Sequence, residues 1–335
     1  MSVCITGATG FVGAHVTVAF LEAGIGVHAA VRSPDDPEKI GPLVDAAERT
    51  GTPLTFFSAD LGTPGSFDAA VAGCDAVVHV AAVARLTAPD PQRQIVDPAV
   101  EGARTVLDAA TRGGVRRVVL TSSVAAIGNY KASQARPLTE ADWNEAATLD
   151  TDPYGLAKTN AERLAWAMAE AAPWDLVALN PSMVLGPVLA PRHAKASPSV
   201  VRDVLVGTYP AIPKLAFGLV DVRDLAAAHL AAVQREDAGG RHLLCAGTRW
   251  MRDIAVLLAE AYPERRIRTW PLPNLVMYLA AVTGKRVSLS NLRDMLGRVP
   301  QYDGSSAPTR LGVSYTGIDQ TLRDTAASLV RLGLV

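Results

Sequence analysis

The sequence predicts an α/β protein in which a doubly wound parallel sheet carries a smaller C-terminal lobe. Through the first half of the 335-residue chain, short apolar segments typical of buried strands alternate with longer helical segments, as in parallel sheets covered on both faces. A glycine-rich turn joins the first of these strands directly to a helix. After Pro181 the alternation stops and residues 186–216 are rich in proline, which indicates that a different structural unit begins.

The strands of the sheet follow from runs of apolar residues bounded by turn-forming residues. In chain order we predict them at residues 2–6, 26–31, 54–57, 76–80, 117–121 and 175–179. The clearest helices are predicted at residues 11–23, 100–112 and 153–171. The end of a strand followed by a helix is predicted at residues 219–232, and a further strand at 241–245. We therefore assign residues 1–181 with about 217–247 to the sheet domain, and about 182–216 with 248–335 to the lobe that binds the substrate.

Composition argues against several classes of partner. Apolar residues make up 49% of the chain, and the formal net charge of -1 provides no basic field for nucleic acid or for a membrane surface. Cys4, Cys74 and Cys245 are odd in number and widely spaced, so we expect buried free thiols and no metal. Because the first strand begins at residue 2, no signal peptide is expected, and these features together predict a protein of the reducing cytoplasm.

The turn after the first strand carries three glycines spaced three apart. Gly7 allows a tight turn, Gly10 lets the backbone approach a pyrophosphate, and Gly13 lets the helix pack closely against the sheet. The start of the helix offers unpaired N–H groups and the positive end of its dipole to phosphates. This context of strand, turn and helix predicts a Rossmann-type dinucleotide site. We assign to that site the residues Gly7, Thr9, Gly10, Phe11, Val12 and Gly13.

The end of the second predicted strand distinguishes the two nicotinamide cofactors. An acidic residue there would bind the ribose 2′-hydroxyl of NAD, whereas an arginine suits the 2′-phosphate of NADP. The chain has Arg32 at that point, and Lys39 seven residues later can add a second positive charge. Asp35 and Asp36 come too late in the chain to replace the missing acid. We therefore predict NADPH/NADP+ as the cofactor.

Two further segments are expected at the same edge of the sheet. Asp60 and Leu61 follow the third strand, where a carboxylate can accept from the adenine amino group while the leucine packs on the ring. Helix capping is the other role open to Asp60. The fourth strand ends at Val80, Ala81 and Ala82, whose small side chains leave room for the backbone of the cofactor. Both segments are assigned to the cofactor site.

Tyr154 and Lys158 form the second informative pattern. Positions four apart share one face of a helix, so the phenol and the ammonium lie side by side, and the positive charge stabilises a phenolate. Tyr154 can then act as a general acid toward a carbonyl oxygen. The fifth strand ends in Ser122 and Ser123, at the edge where ligands bind in open parallel sheets. Ser123 is favoured as the hydroxyl that contacts the carbonyl, and the register leaves Ser122 as the alternative.

These motifs resemble those of the extended short-chain dehydrogenase/reductase family. Within it, the chain is most similar to the branch of dihydroflavonol reductases, cinnamoyl-CoA reductases and microbial aldehyde or ketone reductases. The similarity extends over about residues 2–250. The segments that carry it are residues 6–13, 27–34, 96–102, 118–123, 154–158, 180–187 and 220–224.

The resemblance implies a reaction and further site residues. Ser123 would polarise the oxygen of the substrate, Tyr154 would protonate it, and Lys158 would also bind the nicotinamide ribose. Pro181 and Val184 would flank the nicotinamide ring. The implied activity is the reversible reduction of a ketone or aldehyde to an alcohol with hydride from NADPH.

The expected substrate is a small carbonyl compound of apolar or aromatic character. Plant dihydroflavonol reductases carry an asparagine five residues after the catalytic serine, whereas this chain has Gly128 there and Asn129 one step later, which argues against a flavonoid. The segments after the sheet edge are mostly apolar, as ligand pockets are. The predicted pocket consists of Ala84, Leu86, Ile127, Met183, Val188, Leu189, Tyr209 and Phe217. Trp143 and Trp250 fit either this pocket or the core, and both a monomer and a homodimer fit the sequence.

Two other functions stay open. An NAD-dependent epimerase/dehydratase or a steroid-type dehydrogenase would come from the same family, although Arg32 and the apolar pocket argue against both. A regulator that senses the dinucleotide without turnover belongs to a different class. Such proteins tend to lose the tyrosine–lysine pair, which this chain keeps.

Overall fold

The computed structural model describes residues 1–82, 85–274, 276–277 and 289–335. This part of the chain forms two sheets and the helices that pack on them. The strands in chain order are β1 (Ser2–Thr6), β2 (Gly26–Val31), β3 (Leu54–Ser58), β4 (Ala76–His79), β5 (Arg117–Thr121), β6 (Asp175–Pro181), β7 (Met183–Leu185), β8 (Ala216–Asp221), β9 (Gly240–Leu244) and β10 (Gly247–Trp250). The helices are α1 (Phe11–Glu22), α2 (Pro37–Thr50), α3 (Asp68–Val71), α4 (Asp97–Gly113), α5 (Pro153–Ala169), α6 (Ser199–Leu205), α7 (Val222–Gln234), α8 (Met251–Ala261), α9 (Leu289–Met295), α10 (Ser306–Leu311) and α11 (Ile318–Arg331).

The larger sheet has seven parallel strands in the order β3-β2-β1-β4-β5-β6-β9. The first strand pairs with β2 on one side and with β4 on the other. The strand order therefore reverses between β1 and β4, and ligands of such sheets bind at this switch point, outside the carboxyl ends of the strands. The predicted doubly wound, Rossmann-type sheet is confirmed. The glycine turn follows β1 and so lies at the switch point.

The smaller sheet has the order β10-β8-β7. Its middle strand pairs parallel with β7 and antiparallel with β10. Residues 217–221, which we assign to the sheet domain from the sequence, lie in this smaller sheet, whereas β9 from the same assigned stretch pairs with β6 in the larger one. The reason is that β7 follows β6 after a single residue and offers β8 a partner outside the larger sheet. The division into two domains otherwise stays a prediction.

The predicted elements agree with the observed ones to within a few residues at their ends. Helix α4 begins three residues earlier than predicted, with Pro98 in its first turn, where the missing N–H costs nothing. Strand β6 continues two residues further than predicted, to Pro181. This extension carries Asn180 and Pro181 to the ligand-binding edge of the sheet.

Helices cover both faces of the larger sheet. On one face α1 packs against α7, and on the other α4 packs against α5. Successive residues of β1 point to opposite faces, so Val3 and Ile5 lie in one core while Cys4 lies in the other. Because both faces are covered, all three side chains are fully buried. The expectation of buried free thiols is confirmed for Cys4, Cys74 and Cys245.

The described residues contain neither a membrane-spanning helix nor a cluster of metal ligands. No helix in this part of the chain combines the length and the apolar character needed to cross a membrane. Likewise, no group of three or more His, Cys, Asp or Glu side chains among these residues is arranged to hold a metal ion.

Candidate active site

The glycine turn has the geometry that a dinucleotide requires. Gly7 adopts a φ of 67°, and a Cβ on it would lie 2.9 Å from the backbone of Ala81. A Cβ on Gly13 would lie 2.1 Å from the carbonyl oxygen of Gly7, so only glycine allows α1 to pack this closely. Gly10 precedes α1 without a side-chain hydrogen bond to the first helical N–H groups. These groups are left to bind an anion such as pyrophosphate.

Ala81, two residues after the end of β4, continues this tight packing. Its N–H donates to the Thr6 hydroxyl at 3.1 Å, and that hydroxyl lies 2.8 Å from Nδ1 of His79. Thr6 and His79 are directly paired across β1 and β4. Burial, and secondarily the charge of Lys158, lowers the pKa of His79 to about 3. The imidazole is therefore neutral, and its Nδ1 shares a hydrogen bond with the Thr6 hydroxyl.

The two cations predicted to bind the 2′-phosphate differ in their surroundings. Arg32 is exposed at the end of β2 and makes no hydrogen bond or ion pair with any described residue. Lys39 lies in the first turn of α2, with its ammonium 2.7 Å from the Asp36 carboxylate and 3.4 Å from the Ser33 hydroxyl. The ammonium lowers the pKa of Asp36 through their hydrogen bond. Of the two cations, Arg32 is thus the one whose charge is not already paired within the described part of the chain.

The segment after β3 forms a tight turn beside α4. The Asp60 carboxylate accepts from the Gly62 N–H at 2.8 Å, so this exposed residue stabilises the turn in addition to any contact it makes with a ligand. Leu61 lies against Gly102 of α4, where an added Cβ would come within 3.1 Å of it. Leu61, Ala81 and Ala82 all line the cleft that also contains Tyr154 and Lys158.

The tyrosine and the lysine lie in the first two turns of α5. Asp152 begins this helix by accepting from the Gly155 N–H at 3.0 Å, and Pro153 occupies the first helical position. The Lys158 ammonium lies 3.4 Å from the carbonyl oxygen of Thr121, at the end of β5. Tyr154 and Lys158 share the cleft with His79. The structure therefore brings the predicted acid and ammonium to the ligand-binding edge of the sheet.

The two serines after β5 have different environments. Ser122 is buried and donates to Oε2 of Glu162 at 2.5 Å. Ser123 is partly exposed, and its oxygen accepts from the Ala125 N–H at 3.1 Å, while its own proton has no acceptor among the described residues. Ser122 lines the cleft with Tyr154. Only the Ser123 hydroxyl is free to donate to a ligand, and its catalytic role stays a prediction.

Glu162 also lines the cleft, and the sequence analysis did not single it out. It follows Tyr154 and Lys158 at the same spacing of four on α5 and is 1% exposed. Its Oε2 accepts from Asn180 Nδ2 at 2.7 Å as well as from Ser122. Because Asn180 also donates to the carbonyl oxygen of Ser123 at 3.2 Å, one buried carboxylate connects α5 to the ends of β5 and β6. The repeated spacing of four was the available signal.

Arg241 on β9 balances this buried charge. Its Nε donates to Oε1 of Glu162 at 2.6 Å, and its Nη1 donates to the carbonyl oxygens of Glu140 and Asp142. The guanidinium lies 3.9 Å above the ring of Trp143. Trp143, for which the sequence left pocket and core open, therefore stacks on the cation of this pair.

The remaining predicted residues lie in or near the apolar core. Pro181 ends β6, and Val184 lies in β7 with 8% of its surface exposed. Of the predicted pocket, one apolar cluster contains Met183, Val188, Leu189, Tyr209 and Phe217. Ile127 lies in a second cluster with Leu138 and Tyr302, and Leu86 is 60% exposed. Ala84 lies outside the described residues. The pocket stays a prediction.

The chain is similar to known proteins over most of its length. The sequence model of the NAD dependent epimerase/dehydratase family matches residues 3–246. Cinnamoyl-CoA reductase CAD2 of Medicago truncatula is 32% identical over 98% of this chain and 95% of its own length. Dihydroflavonol 4-reductase of Dianthus caryophyllus is 32% identical over 80% of this chain and 75% of its own.

A crystal structure of the yeast methylglyoxal/isovaleraldehyde reductase Gre2 complexed with NADPH superimposes with a TM-score of 0.81 at 26% identity. The alignment covers 100% of both chains. The motif resemblance, the sheet and these relatives agree with one another. The chain belongs to the NAD dependent epimerase/dehydratase family, that is, the extended short-chain dehydrogenases/reductases, and is an NAD(P)-dependent oxidoreductase of that family.

Proposed function

We propose that this protein is an NADPH-dependent carbonyl reductase that converts an apolar or aromatic ketone or aldehyde to an alcohol. The observation that carries the proposal is the position of Tyr154 and Lys158 at the switch-point edge of the sheet, where the glycine turn also lies. A phenol beside an ammonium, next to a dinucleotide site, is suited to protonating an oxygen while hydride is delivered to carbon.

In this proposal the residues of the chain bind, polarise and protonate the carbonyl group. The bound cofactor supplies a hydride to the carbonyl carbon. The Ser123 hydroxyl donates a hydrogen bond to the carbonyl oxygen, and Tyr154 transfers its phenolic proton to the same oxygen. Lys158, held by the Thr121 carbonyl, stabilises the phenolate that remains. One hydride and one proton are added, which balances the reduction of C=O to CH–OH.

The residues present fit NADPH. The uncapped start of α1 and the space left by the absent side chain of Gly10 suit a pyrophosphate. The free guanidinium of Arg32 suits a 2′-phosphate, which it can bind with two parallel hydrogen bonds. The relative Gre2 was crystallised with NADPH, which supports the same choice for this chain.

The relatives and the packing narrow the substrate class. The relatives are named for cinnamoyl-CoA, dihydroflavonol and the aldehydes methylglyoxal and isovaleraldehyde, all of which contain a carbonyl group. At Gly128 an added Cβ would lie 2.7 Å from Cδ1 of Leu138, so the asparagine found in plant dihydroflavonol reductases would not fit without repacking. The glycine at this position leaves no asparagine to read a dihydroflavonol, which supports an apolar or aromatic carbonyl substrate of another kind.

The test is a panel of aryl and alkyl ketones and aldehydes, assayed with NADPH and with NADH. We expect Tyr154→Phe to lower kcat by about 10²-fold or more while the Kd of NADPH stays within about twofold. Ser123→Ala should lower kcat, and Ser122→Ala serves as the matched variant that tests the register of the serines. A Tyr154→Phe protein with near-native kcat would contradict the catalytic assignment.

The same panel separates the alternatives. Tight binding of NADPH without turnover of any carbonyl would favour a regulator that senses the dinucleotide. Preference for NADH together with conversion of a nucleotide sugar would favour an epimerase or dehydratase.

A further inference from the structure

Arg192 lies far from the glycine turn in the sequence but contacts it in the fold. It belongs to the short helical turn Pro191–Lys195, which follows β7. Its Nε and Nη2 both donate to the carbonyl oxygen of Thr9 at 3.0 Å, and Nε2 of His193 lies 3.2 Å from the same oxygen. Since Thr9 lies between Gly7 and Gly10, Arg192 holds the middle of the cofactor turn.

The effect on the turn is to fix one peptide group at both of its polar atoms. The carbonyl of the peptide between Thr9 and Gly10 is held by Arg192, and its N–H donates to the carbonyl oxygen of Gly7 at 2.9 Å. With this peptide fixed, the N–H groups at the start of α1 keep one orientation toward the ligand. A site that is oriented before binding loses less entropy when the ligand arrives.

The same guanidinium also reaches the first turn of α2. Its Nη1 donates to the carbonyl oxygen of Glu38, and its Nη2 to that of Lys39, both at 2.5 Å. Pro42 lies inside this helix and has no N–H, so the carbonyl of Glu38, four residues earlier, lacks its usual helical donor. Arg192 supplies the missing hydrogen bond. It thereby joins the segment that carries Lys39 to the glycine turn.

We propose that Arg192 is a positioning residue that holds the glycine turn and the first turn of α2 at a fixed separation for the dinucleotide. This rests on the proposed function of the site. All of the guanidinium nitrogens donate to backbone carbonyls, so Arg192 acts through the turn and does not read the 2′-phosphate. It therefore contributes to the binding of both NADPH and NADH, and to NADPH additionally by holding the segment of Lys39, whereas Arg32 contributes to NADPH alone.

The test is titration of the full-length protein with NADPH and with NADH, without a carbonyl substrate. We expect Arg192→Met to raise the Kd of NADH by about tenfold, as for the loss of hydrogen bonds from a charged group, and that of NADPH by at least as much. Arg192→Lys should lose about as much, because an ammonium cannot span three carbonyls. Arg252→Met is the matched control, since Arg252 also donates to a backbone carbonyl, that of Thr269, and should leave both Kd values unchanged.

A second-site variant tests the reason for the effect. Pro42→Ala restores an N–H for the Glu38 carbonyl within α2 but not the link from α2 to Thr9, so Arg192→Met/Pro42→Ala should bind both dinucleotides no more tightly than Arg192→Met alone; recovered affinity would contradict the role of that link. Thermal unfolding of each variant without cofactor verifies that the affinities refer to folded protein. If Arg192→Met unfolds, the comparison is made with Arg192→Lys.

The outcomes distinguish this inference from the proposed function. If the wild-type protein binds neither dinucleotide, the proposed function fails. If the wild-type protein binds both dinucleotides and Arg192→Met binds each of them with the wild-type affinity, only the positioning role fails. If Arg192→Met weakens NADPH alone, Arg192 reads the phosphate and the positioning role is wrong.

Discussion

Replacement of Glu162 by glutamine tests the buried network beneath the serines. The carboxylate receives hydrogen bonds from Ser122, Asn180 and Arg241 at 2.5, 2.7 and 2.6 Å, and from Trp166 Nε1 at 3.3 Å. Donors approach both oxygens. A glutamine amide therefore turns its NH₂ group toward two donors in either orientation, and the Arg241 charge is left without a counter-ion.

The expected cost follows from burial. The side chain of Glu162 is 0% exposed and that of Arg241 is 8% exposed. Removal of one partner from such a pair costs about 3–5 kcal/mol, because the other charge stays buried and uncompensated. Proteins are stable by only about 5–15 kcal/mol, so Glu162→Gln should remove a large fraction of the free energy of unfolding.

The assay is equilibrium unfolding in urea, followed by circular dichroism. Glu145→Gln is the matched control, since Glu145 pairs with Arg163 on the same side of α5 but both side chains are exposed, at 70% and 46%, and should cost no more than about 1 kcal/mol. Glu162→Gln/Arg241→Met should cost less than the sum of the two single variants, because it removes both charges. Equal costs for Glu162→Gln and Glu145→Gln would refute the reasoning.

Three further predictions concern Arg32, the packing at Gly13 and the buried His229. Arg32→Ala should raise the Kd of NADPH by about tenfold or more and leave that of NADH within about twofold. If titration with each cofactor shows the same rise in both Kd values, Arg32 does not bind the 2′-phosphate. Gly13→Ala should destabilise by about 1–3 kcal/mol, since its Cβ would lie 2.1 Å from the Gly7 oxygen. Gly41→Ala is the control, since nothing but its chain neighbour Pro42 opposes the new Cβ, and it should cost less than Gly13→Ala in the same urea assay; the reverse order would contradict the packing argument. Burial lowers the pKa of His229 from 6.5 to about 4, so between these pH values the unfolded state binds a proton that the folded state does not. As the pH falls through this range, protonation of His229 in the unfolded state should lower the free energy of unfolding by about 1.4 kcal/mol per pH unit. His229→Gln should reduce the slope of the free energy of unfolding against pH by that amount.

Local patterns in the sequence predict much of the fold and part of the site. The alternation of strands and helices, and the spacing of Gly7, Gly10 and Gly13, depend on residues within one or two elements of each other. Tyr154 and Lys158 share one helix, so a spacing of four is enough to place them together. The same alternation predicts a doubly wound parallel sheet, whose strand order the structure then supplies.

Contacts between distant residues were decided only by the tertiary structure. Arg241 and Glu162 are 79 positions apart, and Arg192 and Thr9 are 183 apart. The pairing of β8 with β7 and β10 likewise depends on where the chain turns after Pro181. Composition and periodicity describe what a segment prefers, whereas these contacts require that two segments already be held side by side. The sequence by itself thus determined the sheet, the dinucleotide turn and the tyrosine–lysine pair, and only the packing of distant segments decided which charges support them.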